Sequence, residues 1–181
     1  MKTHFDIEQL VEKGVITNEM DFERALIAER KLRILSKDSL HFKNLRKKLR
    51  DLLEAYERKE WSDLEKLTDE KMAESDLSEK LAEKERIFIE NRKQLIRNKL
   101  KTLNLTQKEL GTVLGHKSKT HMSELMNGIK PFTLKDLIVI NCLLKINMKE
   151  LIPVFLSKED IVKIKTAIKA LGKEDLILCS Y

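Results

Sequence analysis

NLTQKELGTVLGHKSKTHMSELMNGIK, residues 104–130, spells two short helices joined by a turn. Thr106 is a good N-cap, and Glu109 three residues on completes a capping box. Gly115 suits the left-handed position that closes a helix, so the first helix ends there. After His116 and Lys117 the second helix is capped by Ser118. It carries apolar Met122, Leu125 and Met126 at spacings of three and four, and Asn127–Gly128 stops it. Its other face is Lys119, Thr120, His121, Ser123 and Glu124. These are short or basic hydrogen-bonding side chains, the kind a helix lying in a major groove presents to base edges.

The rest of the composition is compatible with that reading and excludes others. In 181 residues, 36% are charged and 5% aromatic, with five Gly and two Pro. Such a chain has little material for β-turns and much for solvated helices, so an all-α protein with two small domains is expected. No apolar run approaches the roughly 18 residues of a membrane span, and the charged start is not a leader, which points to the cytoplasm. Cys142 and Cys179 stand far apart with no ligand at metal spacing; Cys142, inside an apolar helix, reads as a small core residue and Cys179 as a bystander. Histidines at 4, 41, 116 and 121 are scattered along the chain. Neither a zinc site, a cofactor nor a Cys/His nucleophile is indicated, and no catalytic constellation is visible, so an enzyme is not expected.

The net charge of +6 is unevenly placed. Residues 1–90 hold 19 Lys/Arg and 22 Asp/Glu, whereas residues 91–181 hold 17 and 8. Between 91 and 130 nine basic residues face two acidic ones, while 51–90 carries seven against fourteen. A polyanion is drawn to the first stretch and repelled by the second. The acidity of 51–90 suits a basic protein partner, although an acidic solvated face is the commoner meaning of such a run.

In chain order, Gly14 stops a short helix over 6–13, and Asn18 caps a longer one over 19–35. A third helix over about 39–59 places Leu45, Leu49, Leu52, Leu53 and Tyr56 on one face and Lys43, Arg46, Lys47, Lys48 and Arg50 on the other. The basic face reads as solvated rather than as a second nucleic-acid contact. Trp61 closes the edge of this N-terminal core. Residues 62–76 offer caps at Ser62, Thr68 and Ser75 and few apolar side chains, so a short exposed linker is expected. A helix from Ser78 to Leu103 follows, with Leu81, Ile87 or Phe88, Leu95, Ile96 and Leu100 inward. Beyond the paired helices, Thr133 caps an apolar helix whose Leu134, Leu137, Ile138, Ile140, Cys142 and Leu144 are expected to close the core. Ser157 with Asp160 makes another capping box before a C-terminal helix. The units are therefore 1–60, an N-terminal helical domain and candidate partner-binding unit; 61–88, an acidic helical linker; 89–156, the helix-turn-helix domain; and 157–181, a helical extension.

ThrGlnLysGluLeuGly at 106–111, with LeuGly at 114–115, Ser118, AsnGly at 127–128 and LeuLysAspLeu at 134–137, resembles the Xre/Cro-type repressor helix-turn-helix, because caps, apolar positions and glycine stops coincide. Gly111 stands where that family has a very small residue for close helix crossing. Residues 49–57 together with 118–128 look more narrowly like HigA antitoxins, the DNA-binding halves of HigBA toxin–antitoxin pairs. The resemblance implies a five-helix, lambda-repressor-like domain, a homodimer on double-stranded operator DNA, a messenger-cleaving toxin ribonuclease as partner, and autoregulation. It also implies that Thr106 and Gln107 meet phosphate, that Lys117, Ser118, Lys119, Thr120, His121, Ser123 and Glu124 face the groove, and that Lys130 reaches the backbone. This sequence departs from the family in a turn between Gly115 and Ser118 that is one or two residues longer, in the acidic insert from 62 to about 88, and in the tail beyond 157. The alternatives are an Xre-type regulator without a toxin, and a protein-interaction module that uses the helix-turn-helix only as scaffold.

Overall fold

The structure, a computed structural model, describes residues 5–37, 39–63, 67–153, 156, 158–173 and 175–176. The expected capping box at Ser157, together with His4 and Cys179, lies outside them. Among the described residues there are nine α-helices and no strand, so the chain is all-helical there.

α1 (Ile7–Lys13), α2 (Glu19–Leu35) and α3 (Leu40–Glu60) form where the sequence places them. Asp6, Asn18 and Ser39 accept the first free backbone N–H groups of these helices, and Gly14 ends α1 in the left-handed region. Their inward rows meet in one core: Ile7 and Leu10 of α1, Phe22, Ala25, Ala28 and Leu32 of α2, and Phe42, Leu45, Leu49, Leu53 and Tyr56 of α3. Trp61 packs on its edge, as expected. The basic face of α3 is largely solvated; Arg46 reaches Glu29 of α2 at 2.7 Å.

α4 (Asp69–Thr102) differs from expectation. It starts at Asp69, nine residues before the expected helix, and its 34 residues span about 51 Å. Ser75 and Ser78 are interior, and Thr68 is the cap. The stretch read as an exposed linker lies along α2, because its inward row is polar or small rather than apolar. Ser75 Oγ donates to Glu19 Oε1 at 3.0 Å, Ala82 is buried, and Arg24 clasps Glu85 with the Nε–Nη2 edge of its guanidinium at 2.8 and 2.6 Å. Glu19 is itself buried and also accepts from Tyr56 Oη at 2.9 Å. Burial, and then that bond to Glu19, push the Tyr56 phenol well above its ordinary pKa.

The second half of α4 belongs to a different core. Ile96 and Leu100 pack with residues from α5 (Gln107–Leu114), α6 (Lys119–Asn127), α7 (Leu134–Leu144) and α8 (Met148–Leu151). Phe132 is buried in it together with Leu110, Leu125, Met126, Leu137, Ile140 and Leu151. Arg92, 2% exposed, donates from Nη1 to Leu151 O at 3.1 Å and lies over the Phe132 ring at 5.3 Å. Burial lowers its pKa to about 10. On α7, Leu137, Ile140 and Leu144 are inward, but Leu134 (47%), Ile138 (46%) and Cys142 are exposed. Spacings of four put these three on the outer stripe of the helix, so the expectation that they fill the core is overturned. α9 (Lys158–Ala170) follows, with Val162 exposed.

Candidate nucleic-acid interface

The paired helices of residues 104–130 form as their caps dictate. Thr106 Oγ1 accepts from Glu109 N at 3.2 Å while Glu109 Oε2 accepts from Thr106 N at 2.7 Å, which closes the capping box. Gly115 has φ +83° and ends α5, and Ser118 accepts from His121 N at 3.2 Å to open α6. At Gly111 a Cβ would stand 2.7 Å from Met122 Cγ, so the close crossing of α5 and α6 is built on that glycine. The longer turn is anchored: His116 N donates to Gly111 O at 2.7 Å, and His116 Nε2 lies 3.1 Å from Asp136 Oδ1 at the start of α7.

The expected contact residues divide along the length of α6. Thr106, Lys117, Ser118 and Lys119 are exposed, and Gln107, Thr120 and Ser123 are half-buried at the surface. Glu124 does not face solvent; it is 2% exposed. His41 Nε2 of α3 lies 2.6 Å from Glu124 Oε1, His121 Nδ1 is 3.2 Å from Oε2, and Lys130 Nζ is 3.4 Å from Oε2. Lys130 also pairs with Glu8 of α1, and His41 Nε2 is 3.1 Å from Glu8 Oε1. Glu124, His121 and Lys130 therefore serve the junction between the two cores. The reason is geometric: position 124 faces α1 and α3, neither of which is visible in the local helix pattern.

Burial works to raise the Glu124 carboxyl, but a hydrogen bond with Glu8, the Lys130 charge and the two imidazoles outweigh it and hold Glu124 below the usual range. Burial and the Glu124 charge push Glu8 up. The histidines that look scattered in sequence thus converge: His116 and His121 rings are 4.8 Å apart, and His41 joins Glu8 and Glu124 with ligand atoms within 4.8 Å of one another. These donor types suit a divalent metal, yet the Lys130 ammonium already lies against both carboxylates and supplies the counter-charge.

The end of α6 is held as firmly as its middle. Ile129 is buried in the N-terminal core, and its carbonyl accepts from Ile7 N at 3.0 Å. Lys31 Nζ of α2 donates to Asn127 O at 2.8 Å, placing a cation at a helix C-terminus. Burial lowers the Lys31 pKa to about 8. An unfolded lysine keeps its proton to about pH 10.4, so between these values the unfolded chain binds more protons and stability rises with pH. The gain is complete above the unfolded value and lost as pH falls through 8. Urea unfolding at pH 7.5 and 9.5 should show an increase of about 1–2 kcal/mol in the wild type. The increase should be absent in Lys31→Met; an equal increase in both proteins would mean that other groups cause it.

Between the surface side of α6 and the N-terminal bundle runs a groove of about 780 Å³, floored by α2 and α4 and reaching Gln107 and Ser123. No sequence signal brought α2 to the edge of the paired helices. Among the described residues no helix is long and apolar enough to cross a membrane. Comparison with protein-family models, with curated proteins and with solved structures returns no match for this chain.

Proposed function

We propose that the chain is a sequence-specific duplex-DNA-binding repressor in which the N-terminal turn of α6 reads the major groove. The observation that carries this is the division of α6. Lys117, Ser118, Lys119 and Thr120 stand at the surface, as does Thr106, while the rest of the helix is fixed in place. In helix-turn-helix readers the N-terminal residues of the second helix are the ones that meet base edges, and a rigid support fixes their angle of entry. Gln107 and the free N–H groups of α5 are set to take phosphate.

The likeness to HigA antitoxins extends the reading to an Xre/Cro-like arrangement of α4–α8, a homodimer, and a second role in neutralising an mRNA-cleaving toxin. The uncovered Leu134, Ile138 and Cys142 stripe on α7 supports a partner copy, since contiguous exposed apolar side chains mark contact surfaces.

The test is titration of the full-length protein onto the duplex upstream of its own coding sequence at 50 and 200 mM salt. Binding that weakens at least roughly tenfold over this range is expected, because phosphate neutralisation releases counterions. No binding at either salt would overturn the proposal. The antitoxin role is separable: co-purification with the product of the adjacent gene supports it, and its failure with operator binding intact leaves a plain repressor.

A further inference from the structure

The groove beside α6 is unusual in its charge. On α4, residues 86, 90, 93 and 97 line it at spacings of four, three and four, one face of the helix. Two of its cations are already matched: Arg86 pairs with Glu83 at 2.7 Å and Lys93 with Glu90 at 3.4 Å. A third, Lys31, spends its ammonium on the Asn127 carbonyl. That leaves Arg30 and Arg33 of α2, one turn apart, and Arg97 of α4. All three are exposed, and none makes an ion pair or hydrogen bond among the described residues. Arg30 feels the Glu23 and Glu83 carboxylates at longer range, but no direct contact holds any of the three guanidinium groups, and like charges around one mouth repel one another. The same mouth opens onto Gln107 at the start of α5 and Ser123 of α6.

We infer that Arg30 and Arg33, with Arg97, form a phosphate-tracking rim through which the N-terminal bundle takes part in holding duplex DNA. The inference rests on the DNA reading of α5 and α6 proposed above. The guanidinium fork matches phosphate oxygens in two parallel bonds, which favours Arg for this task. Continuity of the rim with Gln107 favours the backbone of the duplex that α6 enters over an acidic protein. In this arrangement α6 reads the bases, while α2, from the half of the chain with net negative charge, grips the strand alongside.

The experiment compares full-length wild type with the Arg30→Gln/Arg33→Gln variant. Lys47→Gln/Lys48→Gln, on the outward face of α3, is the control for lost net charge. Each protein is titrated with the duplex upstream of its own coding sequence and with an unrelated duplex, from 50 to 200 mM salt. The Arg variant should bind both duplexes roughly 10- to 100-fold more weakly, and the slope of log affinity against log salt should fall by about two, one per phosphate contact. The control should keep the wild-type slope, and both variants should keep the wild-type unfolding midpoint. If wild type binds and the Arg variant keeps its affinity and slope, the rim is wrong while the DNA reading stands. An equal loss in the Lys control also overturns the rim, because net charge then accounts for the effect. If wild type binds no duplex at all, the underlying reading fails and takes the rim with it.

Discussion

Glu124→Ala should cost about 3–5 kcal/mol, the range for removing one partner from a buried ionic cluster. The carboxylate is 2% exposed and meets His41 of α3, His121 of its own helix, and Lys130, which Glu8 of α1 also holds. Its loss leaves Lys130 and His41 with Glu8 alone and removes the carboxylate that His121 meets. Glu124→Gln keeps the shape and one acceptor and should cost less, about 1–3 kcal/mol. The substitution should also loosen the coupling between the two cores. Trp61, the single tryptophan, sits on the N-terminal core and reports its unfolding by fluorescence, while circular dichroism reports all helices. Urea transitions followed by the two probes should coincide in wild type and separate in Glu124→Ala. A loss below about 0.5 kcal/mol, or coincident transitions in the variant, would show that the cluster is not what joins the cores.

Gly128→Ala should be the most damaging of the glycine substitutions. Two independent costs meet there: φ is +71°, where a Cβ costs about 1–2 kcal/mol, and that Cβ would stand 2.8 and 2.9 Å from Ile89 Cγ2 and Cδ1. Overpacking of that order costs about 1–3 kcal/mol more, for a total of about 2–5 kcal/mol. Gly115 separates the two terms. Its φ is +83° but nothing lies within 4 Å of the added atom, so Gly115→Ala should lose only the dihedral term, about 1–2 kcal/mol. Ile89→Ala in the Gly128→Ala background should recover the packing part and not the dihedral part. If Gly115→Ala and Gly128→Ala prove equally costly in urea unfolding, the close approach of α4 to the end of α6 contributes nothing.

What could be read from the sequence was whatever is encoded by neighbours a turn or two apart. The caps at Asn18, Thr106, Ser118 and Thr133 and the stops at Gly14, Gly115 and Gly128 all stand in the structure, because each is satisfied within three or four residues. The first half of α4 was not legible. Its inward positions are Lys71, Ser75, Ser78 and Ala82, which hydrogen-bond or fit closely instead of forming an apolar stripe. The same limit applies at Glu124. A carboxylate on the polar face of a short helix looks solvent-facing until α1 and α3, more than eighty residues earlier, are brought against it. On α7 the error was the reverse: an almost wholly apolar helix shows no preferred face, so Leu134, Ile138 and Cys142 could not be told from Leu137, Ile140 and Leu144. Thr106, Gln107, Lys117, Ser118, Lys119 and Thr120 stand at the surface, where the local helix pattern puts them. The groove that gathers Arg30, Arg33 and Arg97 was not legible, because α2 meets it only through tertiary packing.

The division of α6 into a reading end and an anchored end is tested most directly by selection from a randomised duplex pool, whatever the sequence of the operator. Wild-type protein should enrich a defined sequence. Lys119→Ala/Thr120→Ala, with unchanged circular dichroism and unfolding midpoint, should bind that sequence roughly 100-fold more weakly and lose preference at the positions facing α6, while its binding to unrelated duplex changes little. Enrichment of no sequence by wild type, or of the same sequence with the same affinity by the variant, would show that this turn does not read DNA.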